Sequence, residues 1–299
     1  MKVVLASTSL LALPTYIALK QSEHEFLALI TKSEERSGRG QKIQESELTL
    51  SLASEKIVRV SGHDDLYNAL TQLKPDIVIA ISFGLLVKPN SLTIPKYGWI
   101  NLHFSLLPKF RGAAPLARAI LAGESKSGVC VFQLDAGMDT GPIYRAREIP
   151  CDSGTNGELL EVFAKIGSEE VLSTLSMIEG GSAAQPQSGE PSFAPKISSD
   201  ELRLNFELES HLLLRRIRAF SPRPGSWCEY QGKRIKIIDA KPYEGLVSKP
   251  GEVISLSPLV IGFLGGALEI TKVQEAGKRL MTGSEWTRGS RVQVGDFFE

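Results

Sequence analysis

An asparagine and a histidine separated by one residue form the pair best suited to catalysis in this chain. Asn101 and His103 end the run Trp99–His103, whose apolar composition is typical of a buried strand. Side chains two residues apart on a strand share a face, so both should project from the carboxyl edge of a sheet. An amide can donate to a developing oxyanion, and an imidazole can move a proton near neutral pH. The same spacing also fits a buried structural histidine that is partnered by Asn101.

Two loops that contain glycine follow predicted strands and could complete a site. Residues 105–115 come directly after the strand that carries His103, and residues 135–141 (DAGMDTG) follow a predicted strand at 128–134. Carboxyl ends of strands in an α/β sheet meet at one crevice, so both loops should lie there. An ordinary turn is the alternative for the second loop, and no further ligands support a metal site. A dinucleotide fingerprint and a P-loop are both absent.

The first half of the chain alternates strand-like and helix-like segments. Pro115 lies near the start of a predicted helix over residues 111–122, and Gly123 follows its end. Thr155 and Glu158 have the spacing of a capping box ahead of an apolar stripe at helical spacing. This alternation predicts an α/β fold with a Rossmann-like, doubly wound parallel sheet. Its predicted strands cover residues 2–6, 76–82, 99–103 and 128–134.

The second half predicts a smaller, mostly β domain. Eleven of the twenty residues at 180–199 are Gly, Pro or Ser, which is typical of a linker. Beyond it we predict a helix, a hairpin around Gln231-Gly232 and two more strands, which suggest a five-stranded, OB-like barrel. The predicted elements are the helix 212–220, the hairpin 227–230 with 234–238, and the strands 262–271 and 292–297. We expect a catalytic domain at 1–185, a linker at 186–206 and a C-terminal domain at 207–299.

Composition restricts the class of protein. The chain has 299 residues, with 42% apolar and 23% charged, which fits a globular protein of two domains. Its formal net charge is zero, which argues against a general polyanion binder. Three cysteines without a C-x-x-C pair imply neither a disulfide framework nor a zinc site. With no apolar run long enough to span a membrane, we expect a cytoplasmic protein, by default a monomer.

The segment NLHFSLLPKFRGAAP, followed by DAGMDTG, resembles the formyltransferases that use 10-formyltetrahydrofolate. The second aspartate of DAGMDTG lies 36 residues after His103, as in that family. The resemblance implies a catalytic set of Asn101, His103 and Asp139, with no metal. The segment AISFGLLVKP resembles the folate-site loop of the family. The residues expected to bind the formyl donor are Phe83, Gly84, Leu85, Ser105, Leu106, Leu107, Pro108 and Asp135.

The later segments FAPKI, RAFSPRPGSW and EAGKRLMTG resemble the branch of this family that acts on methionyl-initiator tRNA. That acceptor is therefore expected, although the turn Ser7-Thr8-Ser9 and the stretch 34–47 depart from the family pattern. Residues 203–299 carry 15 Lys and Arg against 11 Asp and Glu, whereas residues 1–202 carry 19 against 23. A positive second domain suits contact with a phosphate backbone. The residues expected to bind tRNA are Arg36, Arg39, Lys42, Lys196, Arg215 and Arg218.

Formyl transfer to an amine needs the functions that the three implied catalytic residues can supply. The amine attacks the formyl carbon, and Asn101 could stabilise the resulting oxyanion. His103 could move the proton that the amine loses and the folate nitrogen gains. Asp139 is expected to orient the imidazole and to favour its protonated form.

Three alternatives remain from the sequence. The nearest competing hypothesis is that the acceptor is an amino-sugar nucleotide. The acceptor could also be glycinamide ribonucleotide, although such enzymes usually lack a second domain of this kind. A non-catalytic RNA- or folate-binding protein is the third, and retention of all three implied catalytic residues weighs against it.

Overall fold

A computed structural model of the chain describes residues 1–33, 45–244 and 249–299. The chain divides into two compact units. The first unit comprises Met1–Pro115, Ser127–Ile149 and Leu160–Ala194. The second comprises Leu116–Lys126, Pro150–Leu159 and Pro195–Glu299. The domain boundaries at residues 185 and 207 remain a prediction.

Helices and strands alternate through the first half, and strands dominate the second. The helices are α1 (Leu13–Lys20), α2 (Glu47–Ser51), α3 (His63–Leu73), α4 (Pro89–Leu92), α5 (Pro115–Ala122), α6 (Asn156–Glu179), α7 (Ser210–Phe220) and α8 (Gly283–Ser290). Short 3-10 helices cover Leu10–Ala12 and Asp200–Leu202. The strands are β1 (Lys2–Ser7), β2 (Glu25–Lys32), β3 (Ile57–Val60), β4 (Ile77–Ile81), β5 (Trp99–His103), β6 (Arg111–Gly112), β7 (Lys126–Gln133), β8 (Ile143–Pro150), β9 (Phe193–Ala194), β10 (Ser226–Tyr230), β11 (Lys233–Tyr243), β12 (Val253–Leu256), β13 (Leu259–Phe263), β14 (Gly266–Glu275) and β15 (Met281–Thr282).

A seven-stranded sheet forms the frame of the first unit, in the order β3-β2-β1-β4-β5-β7-β8. The pairs from β3 to β5 are parallel, and β7 runs antiparallel to β5. Every residue of β4 is buried, as expected for an apolar parallel strand that is covered on both faces. The α/β class is therefore confirmed, with an antiparallel strand added to a parallel core.

Local signals located the strands β1, β4, β5 and β7 of this half and the helices α5 and α6. Strand β5 covers the predicted residues, and Glu158 and Thr155 make both bonds of the predicted capping box, at 2.8 and 3.3 Å. The prediction that the helix starts at Arg111 is wrong, because α5 begins at Pro115. The residue before a proline avoids helical geometry, and Arg111–Gly112 instead forms β6, which pairs with β9.

The second unit contains a mostly antiparallel sheet in the order β10-β11-β14-β13-β12, with β15 paired to β14. The hairpin around Gln231-Gly232 is confirmed. The single strand predicted at 262–271 is wrong, because Leu264 and Gly265 turn the chain between β13 and β14, and Gly265 has φ +77°. The strand predicted at 292–297 is also wrong, since that stretch forms only an isolated bridge between Phe297 and Glu252. The sheet therefore has six strands rather than five.

Each unit has its own apolar core. In the first unit, residues of β1, β4 and α3 pack together around Trp99. In the second, the β-sheet buries residues of α7 together with Trp286 of α8. Among the helices that the structure describes, none is long and apolar enough to cross a bilayer.

Candidate active site

Strand β5 places His103 and Asn101 at the carboxyl edge of the parallel sheet. His103 is the last residue of β5, and only 5% of it is exposed. Its Nε2 lies 3.0 Å from the backbone oxygen of Phe110, in the loop after the strand. A carbonyl oxygen only accepts, so Nε2 carries the hydrogen and Nδ1 is the basic atom of the neutral ring. The local loop therefore fixes the tautomer of His103.

Asp139 approaches the other ring nitrogen. Its Oδ2 lies 3.8 Å from His103 Nδ1, and the same oxygen accepts from the backbone N–H of Gly112 at 2.8 Å. Asp139 has φ +54°, a left-handed conformation that is uncommon outside glycine and that aspartate tolerates better than most residues. A proton gained at Nδ1 would turn this approach into an ion pair. The carboxylate is thus held beside the basic atom before any proton moves.

Burial decides the charge of His103 in the free protein. Desolvation lowers the pKa of His103 below its ordinary value of 6.5, and the carboxylate of Asp139 and the Phe110 carbonyl oppose that shift without cancelling it. Asp139 thus favours the protonated form of His103, as expected, but burial outweighs its effect in the free protein. The imidazole is neutral at neutral pH, which leaves it ready to accept a proton.

The side chain of Asn101 offers unused hydrogen-bonding capacity. Asn101 is partly exposed, and its backbone lies in register between Ala80 of β4 and Phe132 of β7. No residue in the described part of the chain hydrogen-bonds the Asn101 amide, and His103 bonds Phe110 instead. This arrangement disfavours the alternative of a structural Asn–His pair. The amide remains available to a ligand.

The residues predicted to bind the formyl donor separate into buried and accessible groups. Phe83 packs on Trp99 with 6.3 Å between ring centroids, and Ser105 donates to the Lys109 carbonyl at 2.7 Å. Side chains with little exposure, which can only support the loops, are Phe83, Ser105, Leu107 and Pro108. Those at least partly exposed are Gly84, Leu85, Leu106 and Asp135. The side chains accessible to a ligand are therefore those of the second group.

The loop at 135–141 is organised by its first aspartate. Asp135 Oδ1 accepts from the backbone N–H of Gly137 at 3.0 Å and from the Thr140 hydroxyl at 2.7 Å. These bonds close a turn of the kind that aspartate favours. One carboxylate oxygen of Asp135 thus shapes the loop that presents Asp139.

The residues predicted to bind tRNA fall in three settings. Arg36, Arg39 and Lys42 lie outside the described residues. Lys196 is exposed in the second unit, whereas the guanidinium of Arg215 covers Gly123. Arg218 donates to the carbonyls of Gly154 and Cys151 at 2.7 and 2.9 Å, so its guanidinium is already hydrogen-bonded to the protein backbone. Tertiary hydrogen bonds of this kind could not be predicted from the cluster of arginines in the sequence.

Sequence reasoning missed the groups that surround the histidine and its aspartate. The Phe110 carbonyl, Ser192 and Gln187 all contact this site or its supports. Gln187 and Ser192 belong to the stretch that was interpreted as a linker. Its only sequence signal is the polar Gln187 within a Gly- and Pro-rich run, which does not by itself indicate a site.

A metal centre finds no support in the described part of the chain. No group of three or more His, Cys, Asp or Glu side chains lies close enough there to hold an ion. The pair of His103 and Asp139 supplies only two such groups. The side chains of His103, Asp139 and Asn101 can form hydrogen bonds, and His103 can transfer a proton.

Comparison with known proteins identifies the family. Residues 1–174 match the formyl transferase family, and residues 196–291 match the formyl transferase C-terminal domain. The chain belongs to the formyl transferase family. The match covers both the unit that contains His103 and most of the β-rich region.

Similar proteins extend this result over the whole length. The chain is 38% identical to a methionyl-tRNA formyltransferase of Salinispora arenicola over 308 residues, covering 99% of each chain. It is 36% identical to the enzyme of that name from Cutibacterium acnes, again covering 99% of each. Among solved structures, HypX from Aquifex aeolicus in complex with tetrahydrofolic acid matches at 22% identity with a TM-score of 0.70. That alignment covers 100% of this chain and 50% of HypX, so it supports the fold alone.

Proposed function

We propose that this chain transfers a formyl group from 10-formyltetrahydrofolate to the α-amine of methionyl-initiator tRNA. The observation that carries the proposal is the full-length similarity, at 38% identity, to a protein named methionyl-tRNA formyltransferase. This similarity includes the C-terminal domain as well as the catalytic fold. Since the acceptor is made for translation, the reaction belongs in the cytoplasm.

The neutral imidazole of His103 can accept the proton that the amine must lose. As the amine attacks the formyl carbon, its proton passes to Nδ1, because Nε2 already donates to Phe110 at 3.0 Å. The new imidazolium then faces the Asp139 carboxylate, 3.8 Å away. When the C–N10 bond breaks, the same proton can pass to the departing nitrogen. One proton thus moves from amine to N10 with no net change in the protein.

Asn101 supplies the complementary electrostatic function. The tetrahedral intermediate carries its negative charge on the former formyl oxygen, and an amide N–H₂ can donate to that atom. The Asn101 side chain is partly exposed and uncommitted among the described residues, so it needs no rearrangement to do so. One such donor is worth about 3 kcal/mol of the barrier.

The loops at the carboxyl edge of the sheet are the proposed binding site of the donor. The buried side chains of Phe83 and Ser105 support these loops. The exposed Gly84 leaves the first loop without a side chain at its surface. The accessible Leu85 and Leu106 could cover the apolar faces of a pteridine ring, and backbone groups could pair with its polar edge. A second substrate of the size of tRNA gives the C-terminal domain its role.

The deciding experiment presents the purified chain with labelled 10-formyltetrahydrofolate and one acceptor at a time. We expect formylation of methionyl-initiator tRNA and none of amino-sugar nucleotides. An uncharged initiator tRNA controls for formylation of RNA itself. Formylation of the sugar alone would overturn the proposed acceptor, whereas no transfer to any acceptor would overturn the activity.

A further inference from the structure

One glutamine from outside the predicted catalytic set joins the two supports of His103. Gln187 Nε2 donates to the backbone oxygens of Asp139 and Gly141, at 2.8 Å each. Its Oε1 accepts from Arg111, at 3.2 Å from Nε and 2.6 Å from Nη2. An amide has two donors and one oxygen with two lone pairs, so all four positions are used. Such complete use indicates a fixed side chain.

The groups at the two ends of this amide each bear on His103. On one side, the Asp139 carbonyl belongs to the residue whose carboxylate lies 3.8 Å from His103 Nδ1. On the other side, Arg111 directly follows Phe110, whose carbonyl receives the Nε2 hydrogen of His103 at 3.0 Å. Gln187 therefore links the loop that carries Asp139, beside Nδ1, to strand β6, which begins directly after the Phe110 carbonyl bonded to Nε2.

The Asp139 end of this link needs external support. Asp139 has φ +54°, a strained conformation outside glycine that persists only when its surroundings fix it. The carboxylate accepts from Gly112, while Gln187 holds the backbone carbonyl of the same residue. Two independent contacts thus set the position of Asp139.

The segment that carries Gln187 also braces the Phe110 end. Ser192 Oγ accepts from the Phe110 N–H at 2.9 Å, and the Ser192 carbonyl accepts from the Arg111 N–H at 2.8 Å. The Ser192 N–H donates to Pro108 at 3.2 Å. A stretch with the composition of a linker is therefore part of the catalytic framework.

We propose that Gln187 is a positioning residue for formyl transfer, which acts by fixing Asp139 and the Phe110 carbonyl on either side of His103. The proposal rests on the proposed function. Gln187 does not act on the substrates itself. It keeps the acceptor nitrogen of His103 aligned with the carboxylate that stabilises the proton. Both Nε2 and Oε1 of the Gln187 amide are needed, since Nε2 donates to the loop that carries Asp139 and Oε1 accepts from Arg111.

The test compares Gln187→Ala with Gln187→Glu in formyl transfer to methionyl-initiator tRNA. The glutamate keeps the contact with Arg111 but donates nothing and faces two carbonyl oxygens. We expect kcat to fall about 10- to 100-fold in both variants, because small misplacements of a catalytic group cost that much. KM for either substrate should stay within about three-fold, the pattern of an interaction felt in the transition state.

The matched control is Gln185→Ala, two residues earlier on the same segment. The side chain of Gln185 is exposed, and among the described residues it contacts only the carbonyl of Ala183, at 3.5 Å. Its backbone pairing with Ile143 survives the substitution. We expect kcat within about two-fold of the parent, well under the tenfold that corresponds to 1.4 kcal/mol. Equal thermal melting of all variants would show that the fold is retained.

A double variant separates positioning from general support of the structure. If Gln187 acts through Asp139, Gln187→Ala should cost at most about two-fold more once Asp139→Asn is present, because coupled residues are non-additive. Additive losses, unchanged kcat in both Gln187 variants, or a change confined to KM would each overturn the proposal. Absence of turnover in the parent protein would instead refute the proposed function, and the positioning role with it.

Discussion

The proton chemistry of His103 depends on one carboxylate that approaches without bonding. Asp139 raises the pKa of His103 against the larger effect of burial, so removing its charge should lower that pKa further. In Asp139→Asn we expect the acid limb of kcat/KM to move to lower pH, because the ring stays neutral in more acidic solution. At the same time kcat should fall about 100-fold, since the imidazolium loses its partner.

The measurement is a pH–rate profile of parent and variant with the same two substrates. The amine of the acceptor titrates identically in both, so the difference between the profiles belongs to the protein. Asparagine tolerates the left-handed backbone at this position, and its oxygen can still accept from Gly112. Asp64→Asn, at an exposed carboxylate on α3, is the control. Coincident acid limbs in the parent and Asp139→Asn would contradict the assigned coupling.

The residue-level prediction was strongest where a local rule applied. Asn101 and His103 share a face because side chains alternate along any strand, and this rule needs no knowledge of the rest of the fold. The meeting of His103 with Asp139 followed from a resemblance to a family. Gln187 could not be predicted, because its role depends on where residues 46 and 48 positions earlier, Gly141 and Asp139, lie in the folded chain.

At the scale of elements, the short strands β6 and β9 connect the site to the stretch after α6. Gly112 of β6 has φ +127°, and a Cβ there would lie 2.6 Å from the backbone oxygen of Ala194. Its N–H also donates to Asp139. We expect Gly112→Ala to reduce the free energy of unfolding by about 1–3 kcal/mol, through overpacking and backbone strain. Turnover should fall as well, because the donor to the carboxylate is displaced.

Urea denaturation and kcat measured on the same preparations check this prediction. Gly62→Ala is the matched control, since a Cβ there meets nothing within 4 Å and the backbone φ of −174° is extended. We expect that variant to keep its turnover and to lose less stability than Gly112→Ala, with the small loss arising because Gly62 is the N-cap of α3 and alanine caps less well. Equal stability of Gly112→Ala and Gly62→Ala would show that β6 and β9 can separate without cost.

Element prediction succeeded for regular segments and failed at irregular ones. The apolar run of β4 and the capping box ahead of α6 are local signals, and both elements formed as predicted. The run 262–271 looked like one strand, but Gly265 adopts a positive φ and reverses the chain there. Arg111 looked helical because it precedes a helix, whereas pairing with Phe193 makes it a strand. A local glycine turn decided the first case, and a tertiary partner decided the second.

At the scale of the whole molecule, the formal net charge of zero hides an uneven distribution. Residues 203–299 carry 15 basic and 11 acidic side chains, and residues 1–202 carry 19 and 23. The excess of positive charge thus falls in the region that matches the C-terminal domain of the family, residues 196–291. A neutral protein can bind RNA when its charges are separated in this way, because screening limits their reach to about 10 Å.

This separation predicts that binding of the acceptor depends on salt concentration and that the chemical step does not. If two or three phosphates are contacted, the KM for methionyl-initiator tRNA should rise about 10- to 40-fold between ~50 and ~200 mM salt, with kcat at saturating acceptor unchanged. Lys196→Ala, at an exposed lysine of the second unit, should reduce the slope of log KM against log salt by about 0.7–0.9. Lys165→Ala, at an exposed lysine on α6, should leave the slope unchanged. Equal slopes in the parent and in Lys196→Ala would remove Lys196 from the tRNA contact, and a KM insensitive to salt would exclude phosphate contacts as the basis of acceptor binding.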